Sequence, residues 1–251
     1  MRTAWKFLAT TVAFTTCQEP PLWLVLTLSF NLILPPGIAG RQFFIEANMN
    51  SNSARNTHAK DFFDTHANGW EARNYPPEKL EQVNELVKNL PLAQASVILD
   101  VGCGEGVLQP FLRRFAATGT VFMALDPSAA MLQSLSARFP HVRTYQAVAE
   151  SIPLPDASVD MVICFSAFPH IADKSQAAKE FFRVLRPQGR AYVLHIDGRE
   201  KLNHLHDSHH EVKGDHLPCP KGMGIIFSEA GFTPAEAHEG PTHYFFCAVK
   251  G

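Results

Sequence analysis

Apolar and polar residues follow two different periods along residues 60–250 of this chain. Compact apolar runs rich in β-branched and aromatic residues predict buried strands, because both faces of such a strand pack into a core. These runs lie at Val97–Val101, Val121–Asp126, Val142–Ala147, Val159–Phe165 and Arg190–Ile196. Two final runs, Thr233–His238 and Thr242–Val249, predict a closing antiparallel hairpin.

The segments between these runs have apolar residues three or four positions apart, the spacing of one helix face. The clearest is Pro76–Leu90, whose Pro-Pro start suits a first helical turn. Further helices are predicted at Lys60–Trp70, Val107–Phe115, from Ser128 onward, Ser175–Leu185 and Gly222–Ala230. Because strand and helix alternate, we expect a parallel sheet with helices on both faces.

One strand leads directly into a glycine-rich turn. The run Val97–Val101 contains Asp100 and is followed by Gly102, Gly104 and Gly106. Glycines allow backbone conformations closed to other residues, and the helix that follows offers unpaired N–H groups to a ligand. The next strand ends in a second carboxylate, Asp126. A strand, a glycine loop, a helix and an acidic residue in this order indicate a nucleotide-type site.

With these landmarks, residues 60–250 resemble a class I S-adenosylmethionine (SAM)-dependent methyltransferase, of the small-molecule type related to quinone-biosynthesis methyltransferases. The segment from Asp100 to Gly106 resembles the family's first motif, and Asp126 matches the acidic residue that holds both ribose hydroxyls. Residues 149–160 resemble the segment before strand four, and residues 181–190 resemble the helix, turn and glycine before strand five.

The resemblance implies an α/β fold with a Rossmann-like, doubly wound, seven-stranded sheet, mostly parallel with a C-terminal antiparallel hairpin. It also implies SAM as cofactor and a small-molecule methyl acceptor as substrate. The residues expected to bind SAM are Asp100, Gly102, Cys103, Gly104, Asp126, Pro127, Ala149, Glu150 and Phe165.

The chain departs from the family pattern at Val148, where an Asp often contacts the adenine amino group. Adenine recognition is therefore expected from the Ala149 backbone, from Glu150 or from apolar packing. A NAD-dependent dehydrogenase is the nearest rival for the glycine loop. Its Gly-x-Gly-x-x-Gly fingerprint is not met, because the third glycine lies at position 106 instead of 107.

Ligands of parallel sheets bind beyond the carboxyl ends of the strands. That rule brings together residues 100–106, 126–127, 165–170 and 195–198. Two histidines on this rim, His170 and His195, are the candidate catalytic residues, because an imidazole can remove a proton near neutral pH. A base is needed only if the acceptor carries a proton. The alternative is that His170 is an ordinary loop residue.

Residues 204–216 are rich in histidine. His206 and His210 would share a helix face, so with His195 or Asp215 they could hold a divalent metal. The alternative is a polar lid over the acceptor. No HExxH or CxxC pattern occurs, and no metal ligand is assigned. Two rival functions follow: a SAM-binding regulator without catalysis, or a metal-binding protein that uses residues 195–216.

Trp70, Arg73 and Tyr75 precede the core. They are expected to close over the cofactor or to pack against the first helix.

Composition narrows the functional classes. Of 251 residues, 46% are hydrophobic and 18% charged, which suits a globular protein. The net charge of −2 gives no basic excess, so nucleic acid is not expected as a main partner. The 5 cysteines form no CxxC pair and are odd in number, which favours a reduced, intracellular compartment.

Residues 1–49 do not fit the domain pattern. Their apolar run, residues 21–34, is short for a membrane span and is interrupted by Asn31. With Arg2 and Lys6 before it, the run resembles a secretory signal peptide. The segment is a targeting leader, a weak membrane anchor, or translated sequence upstream of a true start at Met49, which we favour. Residues 50–251 then form the domain, in the cytoplasm, with membrane association only through residues 20–38. Oligomeric state is left open.

Overall fold

The structure is a computed structural model that describes residues 63–67 and 69–251. The expectations for residues 1–49, including the apolar run and the start at Met49, lie outside this part of the chain. Within it, none of the helices combines the length and the apolar character needed to cross a membrane.

Seven strands form a single sheet in the order β3-β2-β1-β4-β5-β7-β6. The first five pair in parallel, and β7 pairs antiparallel with both β5 and β6. The strands are β1 Val97–Val101, β2 Val121–Asp126, β3 Arg143–Gln146, β4 Val159–Phe165, β5 Leu185–His195, β6 Phe232–Gly240 and β7 His243–Lys250. The predicted seven-stranded sheet with a C-terminal antiparallel hairpin is confirmed.

Besides the helical residues 63–66, the described residues contain seven helices and three short 3-10 turns. The helices are α1 Trp70–Asn74, α2 Pro77–Val87, α3 Gln109–Phe115, α4 Ala129–Arg138, α5 Lys174–Val184, α6 Arg199–Ser208 and α7 Pro220–Glu229. The 3-10 turns are Leu92–Gln94, Phe168–His170 and His210–Val212. The single helix predicted at 60–70 is wrong at its end: residues 63–66 are helical, and α1 begins separately after Gly69, which has a φ of 71°.

Apolar side chains fill a core on each face of the sheet. Successive residues of a strand point to opposite faces, and β1 shows this with Ile98 in one core and Leu99 in the other. Helices α2, α3 and α4 cover the first face, and α5 and α7 cover the second. The two cores fix the strands rigidly, so the loops at their carboxyl ends have defined positions.

Several elements have bounds that differ by a few residues from the sequence prediction, and β5 differs most among the strands. Strand β5 begins at Leu185 instead of Arg190, because Leu185 pairs with Val159 directly after α5. Arg183 of α5 donates hydrogen bonds to the carbonyls of Ile152 and Leu154. No helix covers residues 147–158, so this irregular segment takes donors for its carbonyls from α5.

Candidate functional site

A cavity of about 410 Å³ lies at the carboxyl ends of the parallel strands. The glycine loop, the ends of β2, β4 and β5, and parts of α1 and α6 line it. Ten of the predicted site residues are among those that line the cavity: Gly102, Cys103, Gly104, Asp126, Pro127, Ala149, Glu150, Phe165, His170 and His195. The fold therefore brings residues from five separate stretches of sequence to one place.

The glycine loop passes unusually close to its neighbours. Gly102 has a φ of 70°, and a Cβ there would lie 2.3 Å from the Cβ of Ala167. Its N–H donates to the carbonyl of Leu125 (2.8 Å). Gly104 has a φ of 52°, and a Cβ on it would meet only the sulfur of Met131, 4.0 Å away. Gly104 therefore leaves uncovered backbone at the cavity wall, where a ligand can approach closely.

Asp126 is buried at the end of β2, and both of its carboxylate oxygens accept backbone hydrogen bonds. Oδ2 accepts from the N–H of Gly104 and Oδ1 from the N–H of Ser128, each at 2.9 Å. Burial raises the pKa of Asp126 to about 6, the two N–H groups oppose that shift, and the charge of Asp64 adds to it. A carboxylate has further lone pairs, so Asp126 can still accept two hydrogen bonds from a vicinal diol. This geometry fits the ribose of SAM.

Asp100 is not among the residues that line the cavity, so its expected contact with the cofactor stays a prediction. Its side chain is buried, and its Oδ2 accepts a hydrogen bond from Gln109 Nε2 (3.1 Å). Burial raises the pKa of Asp100 to about 7. Asp100 thus lies behind the glycine loop and connects it to α3. Successive strand residues alternate in direction, so its position at the penultimate place of β1 turns it away from the cavity.

Cys103 and Phe165 contribute apolar surface to the cavity wall. Burial raises the pKa of the Cys103 thiol well above its usual range, so the group stays protonated at neutral pH. The Phe165 ring lies 6.1 Å from the ring of Tyr75, which comes from the segment after α1. Ser166 follows Phe165 with a φ of 53° and also hydrogen-bonds Tyr75. Positive φ at a residue other than glycine is strained, and such residues often occur at functional sites.

Three charged residues that the sequence analysis missed hold α1 beside the glycine loop. Glu105 Oε2 accepts a hydrogen bond from the Glu71 N–H (2.7 Å) in the first turn of α1. Both Glu71 carboxylate oxygens bind Arg138 of α4, at 2.6 and 2.9 Å. Arg138 also donates to the Glu105 carbonyl (3.1 Å). We call these three residues the latch.

The latch keeps in place the segment that contains Trp70, Arg73 and Tyr75, which was expected to close over the cofactor or to pack against the first helix. Trp70 and Tyr75 line the cavity, whereas Arg73 is not among the lining residues and donates to the carbonyl of His66. In the sequence, the one signal for these contacts is that Glu105 lies inside the glycine loop.

The segment after β3 forms the wall where the resemblance expects adenine. Val148, Ala149 and Glu150 all line the cavity. Glu150 Oε1 accepts a hydrogen bond from the N–H of Asp173, the residue that caps α5 (3.0 Å). This bond fixes the side chain of Glu150 against α5. Adenine contact by this segment stays a prediction, with Val148 supplying an apolar surface where the family often has a carboxylate.

His170 lies at the end of the 3-10 turn after β4, held from two sides. Its Nδ1 is 2.9 Å from Oδ2 of Asp215. Lys174, the first residue of α5, donates to the carbonyls on either side of it, those of Pro169 (2.8 Å) and Ile171 (3.0 Å). The imidazole therefore has a defined orientation at the cavity wall.

Two more imidazoles surround His170. The His206 ring of α6 lies 4.9 Å from the His170 ring, and its Nδ1 is 2.5 Å from the carbonyl oxygen of Asp215. His195 is 2% exposed at the end of β5, and its Nε2 has no hydrogen-bond partner among the described residues. Burial, with the neighbouring His170 and His206, lowers the pKa of His195 to about 3. His195 is thus a neutral imidazole with an unused polar atom.

The expected metal-binding helix face does not form. Helix α6 ends at Ser208, and His210 belongs to the next 3-10 turn. His209 between them has extended backbone angles, so His206 and His210 do not share one face. Throughout residues 63–67 and 69–251, no group of three His, Cys, Asp or Glu side chains is arranged to hold a metal ion.

Helix α6 and the residues after it instead roof one end of the cavity. Leu202, Leu205 and Val212 line it together with His206. The segment is closed on itself by Asn203, whose side chain donates to the carbonyl of Leu217 (3.1 Å) and accepts from its N–H (2.8 Å). We call residues 199–217 the roof segment.

Comparison with known proteins agrees with this geometry. Residues 99–193 match the family model described as a methyltransferase domain. An uncharacterised methyltransferase of Schizosaccharomyces pombe is 37% identical over 121 residues, 48% of this chain and 46% of that protein. An uncharacterised methyltransferase of Mycobacterium bovis is 39% identical over 129 residues, 51% of this chain and 49% of that protein. The chain spans about half the length of these curated relatives.

A solved structure is similar over a larger part of the chain. The SAM-dependent methyltransferase from Aquifex aeolicus superposes with a TM-score of 0.60 at 20% identity, covering 72% of this chain and 96% of that one. At this identity the likeness shows the fold, and the family match shows a methyltransferase domain at residues 99–193. The chain therefore contains a SAM-dependent methyltransferase domain, and SAM is the cofactor of that domain.

Proposed function

We propose that this protein transfers the methyl group of SAM to a small-molecule acceptor. The observation that carries the proposal is that one cavity contains both halves of the site. Asp126 and Gly104, which we assign to the cofactor, line the same cavity as His170, His195 and His206, which we assign to the acceptor. A cavity of about 410 Å³ has the size typical of small-molecule sites.

Methyl transfer is a displacement that depends chiefly on alignment of the acceptor, the methyl carbon and the leaving sulfur. When bound, SAM supplies an electrophilic methyl group on a sulfonium. The protein's part is to hold the two reactants: Asp126 accepts hydrogen bonds from the ribose, and the glycine loop lies against the remainder of the cofactor. Helix α1, which the latch holds in place, and the roof segment both line the cavity and reduce its contact with water.

The covered cavity favours a small acceptor over a macromolecule. Residues of α1 and of the roof segment both line it, with Trp70 from one and Leu205 from the other. A protein or nucleic-acid substrate would have to reach between these elements. The lining includes the apolar side chains of Phe63, Leu202 and Val212, which suits a compact organic molecule with one reactive group.

Binding of S-adenosylhomocysteine, the demethylated product, tests the cofactor side. Calorimetry should detect binding to the protein, and Asp126→Asn should weaken it by about a hundredfold, because two hydrogen bonds to a charged group are replaced. Asp156→Asn is the matched control, because the Asp156 side chain is 79% exposed. Absence of binding to folded protein, or unchanged affinity in the Asp126 variant, would refute the cofactor assignment.

A regulator that binds SAM without methyl transfer is the alternative. Single-turnover assays with labelled SAM and a panel of small organic acceptors distinguish the two functions. The proposal expects label on at least one acceptor and stoichiometric S-adenosylhomocysteine. Transfer of label only to protein or nucleic acid would contradict a small-molecule acceptor.

The proposed location is the cytoplasm, because SAM is made and kept inside cells. A chain that begins at Met49 should then bind S-adenosylhomocysteine as the full chain does. Fluorescent fusions of the full chain should label the cytoplasm. Enrichment in an organelle or at a membrane would instead assign residues 1–49 a targeting or anchoring role.

A further inference from the structure

We infer that the acceptor is a neutral, largely apolar molecule with a weakly acidic hydroxyl. In this reaction His170 Nε2 takes the hydroxyl proton, and Asp215 is the positioning residue for His170. This inference rests on the proposed function and specifies its acceptor. Four features of the structure carry it: the His170–Asp215 contact, the hydrogen bond of His206, the unused nitrogen of His195, and the charges of the cavity.

The first feature is the contact between Asp215 and His170. With Asp215 Oδ2 only 2.9 Å from Nδ1 of His170, the carboxylate accepts a hydrogen bond from a protonated Nδ1. The proton of the neutral ring is therefore on Nδ1, which leaves Nε2 with a free lone pair. His170 lines the cavity, so this lone pair belongs to a general base within the acceptor space. The carboxylate also stabilises the ring once it becomes charged.

The second feature is that Asp215 also orients His206. Its carbonyl oxygen can only accept, so the Nδ1 of His206, 2.5 Å away, must donate. Burial lowers the pKa of His206, which keeps that ring neutral at neutral pH. Of these two neighbouring imidazoles, only His170 has a carboxylate partner. His170 is therefore the ring that can accept a proton.

The third feature is the Nε2 atom of His195, which has no hydrogen-bond partner among the described residues. A buried polar atom without a partner is costly, so such an atom at a cavity wall indicates a ligand group that completes its hydrogen bond. The residues that face His170 and His195 from other elements are His206 on α6, Asp197 after β5, and Asp215 on the roof segment. Because His195 is neutral, it can hydrogen-bond a hydroxyl oxygen without competing for the proton.

The fourth feature is the balance of charge around the acceptor space. Among the described residues that line the cavity, the fixed cation is Lys79, which lies 3.7 Å from Asp197. Among the described lining residues no unpaired lysine or arginine is thus available for a carboxylate or phosphate on the acceptor. Burial and the neighbouring imidazoles, which disfavour a charged His195 against the opposing charge of Asp197, also disfavour an ammonium group beside that ring. Phe63, Leu202 and Val212 supply apolar surface, so a neutral molecule with one hydroxyl fits best.

The transfer step then balances as follows. The acceptor oxygen forms a bond to the methyl carbon while the carbon–sulfur bond breaks, and the electron pair of that bond stays on sulfur. The hydroxyl proton moves to Nε2 of His170. The products are the methyl ether, S-adenosylhomocysteine and a protonated His170 paired with Asp215, which later loses its proton to water. No oxidant, reductant or further reactant is required.

Nitrogen NMR of histidine-labelled protein with bound S-adenosylhomocysteine tests the positioning role. In the native protein we expect the Nδ1–H tautomer at His170. In Asp215→Asn the new amide can donate to Nδ1, so the Nε2–H form should become populated. Asp207→Asn is the matched control, because Asp207 contacts the exposed His216 of the same segment at 2.8 Å. An unchanged His170 tautomer in a folded Asp215→Asn protein would overturn the inference.

The acceptor class is tested with three probes that share a ring: phenol, benzoate and benzylamine. With S-adenosylhomocysteine bound, phenol should shift the nitrogen signals of His170 and His195 and bind at least tenfold more tightly than the other two. Absence of phenol-induced shifts, or tighter binding of benzoate or benzylamine, would overturn the hydroxyl assignment. Calorimetry with S-adenosylhomocysteine beforehand separates this failure from a failure of the proposed function.

Discussion

Asp126 has two tasks, because each carboxylate oxygen already holds a backbone N–H before any ligand is bound. The glycine loop is therefore in place in advance, and a ligand need not order it. Burial raises the pKa of this carboxyl to about 6, so its charge is only partly present below that pH.

Cofactor affinity should consequently depend on pH. A ribose diol donates hydrogen bonds and so favours the ionised carboxylate, which means that the bound pKa is lower than the free one. Binding then releases a proton near pH 6, and affinity falls as pH drops through about 6. Between pH 7 and pH 5 we expect about a tenfold loss of S-adenosylhomocysteine affinity, since each pH unit below the free pKa costs a factor of ten.

Calorimetry in buffers of different ionisation enthalpy measures the released proton directly. The Asp126→Asn variant should bind weakly and without this pH dependence. If the variant keeps the native pH profile, a different group is responsible.

Gly102 should tolerate no side chain. In Gly102→Ala, the positive φ costs about 1 kcal/mol, and the overlap with Ala167 adds about 1–3 kcal/mol, because the new Cβ would be 2.3 Å from that methyl group. Gly119→Ala is the matched control: its φ is 90° and nothing lies within 4 Å of the added Cβ. Urea unfolding should therefore show a larger loss for Gly102→Ala, and equal losses would argue against the steric account.

Helix α1 has few residues and none that is buried, so packing alone does little to hold it over the cavity. The latch of Glu71, Glu105 and Arg138 supplies the missing attachment through directional bonds to α4 and to the glycine loop. A short element held by polar contacts at the surface can open locally at low cost.

Weakening the latch should speed cofactor exchange. Arg138→Lys keeps the charge but loses the two-pronged contact with Glu71, so we expect S-adenosylhomocysteine to dissociate roughly three to ten times faster. Lys88→Gln removes a surface ion pair with Glu85 on α2 and serves as the control. Stopped-flow displacement measures both rates. A dissociation rate unchanged by Arg138→Lys would show that α1 does not limit release.

At the level of the whole molecule, Phe227 of α7 packs against several elements in the core that α5 and α7 cover. Its ring packs within 4.9–6.3 Å of the rings of four residues: Phe168, Phe181, Phe232 and Phe246. Phe168 begins the turn that carries His170, so this aromatic cluster also supports the site.

Truncating this ring should strongly destabilise the fold. Phe227→Ala removes a fully buried side chain and is expected to cost about 3–5 kcal/mol in the free energy of unfolding. Ile225→Ala, on the same helix with a residue that is 52% exposed, should cost within about 0.5 kcal/mol. Thermal and urea unfolding compare the two. Similar losses would mean that the cluster contributes little.

Most of the sheet could be predicted from the sequence, because its central strands are buried on both faces. Strands β1, β2 and β4 have the predicted bounds. Helix α6 was not predicted as a separate element, since most of its residues are polar and few apolar ones, such as Leu202, pack against a core. The early start of β5 was missed because residues 186–189 are polar or turn-forming and lie in an irregularity between the pairs Val159–Leu185 and Met161–Arg190.

The site was predictable where its residues are adjacent in sequence, as in the glycine loop. Contacts between distant residues were not. Glu71 and Glu105 are 34 positions apart, and His170 and Asp215 are 45 positions apart. Nothing in the residue types alone pairs them, because the topology of the sheet and the path of the roof segment decide which side chains meet.

The two hydrogen bonds between the Asn203 side chain and the Leu217 backbone make the roof segment separable from the rest of the fold. The stretch that contains His206 and Asp215 is fastened to itself at its two ends, while the nucleoside is gripped by other parts of the chain. Such a stretch can be exchanged as a cassette. A chimaera that receives the cassette of a relative should adopt that relative's choice of acceptor and retain its own affinity for the methyl donor.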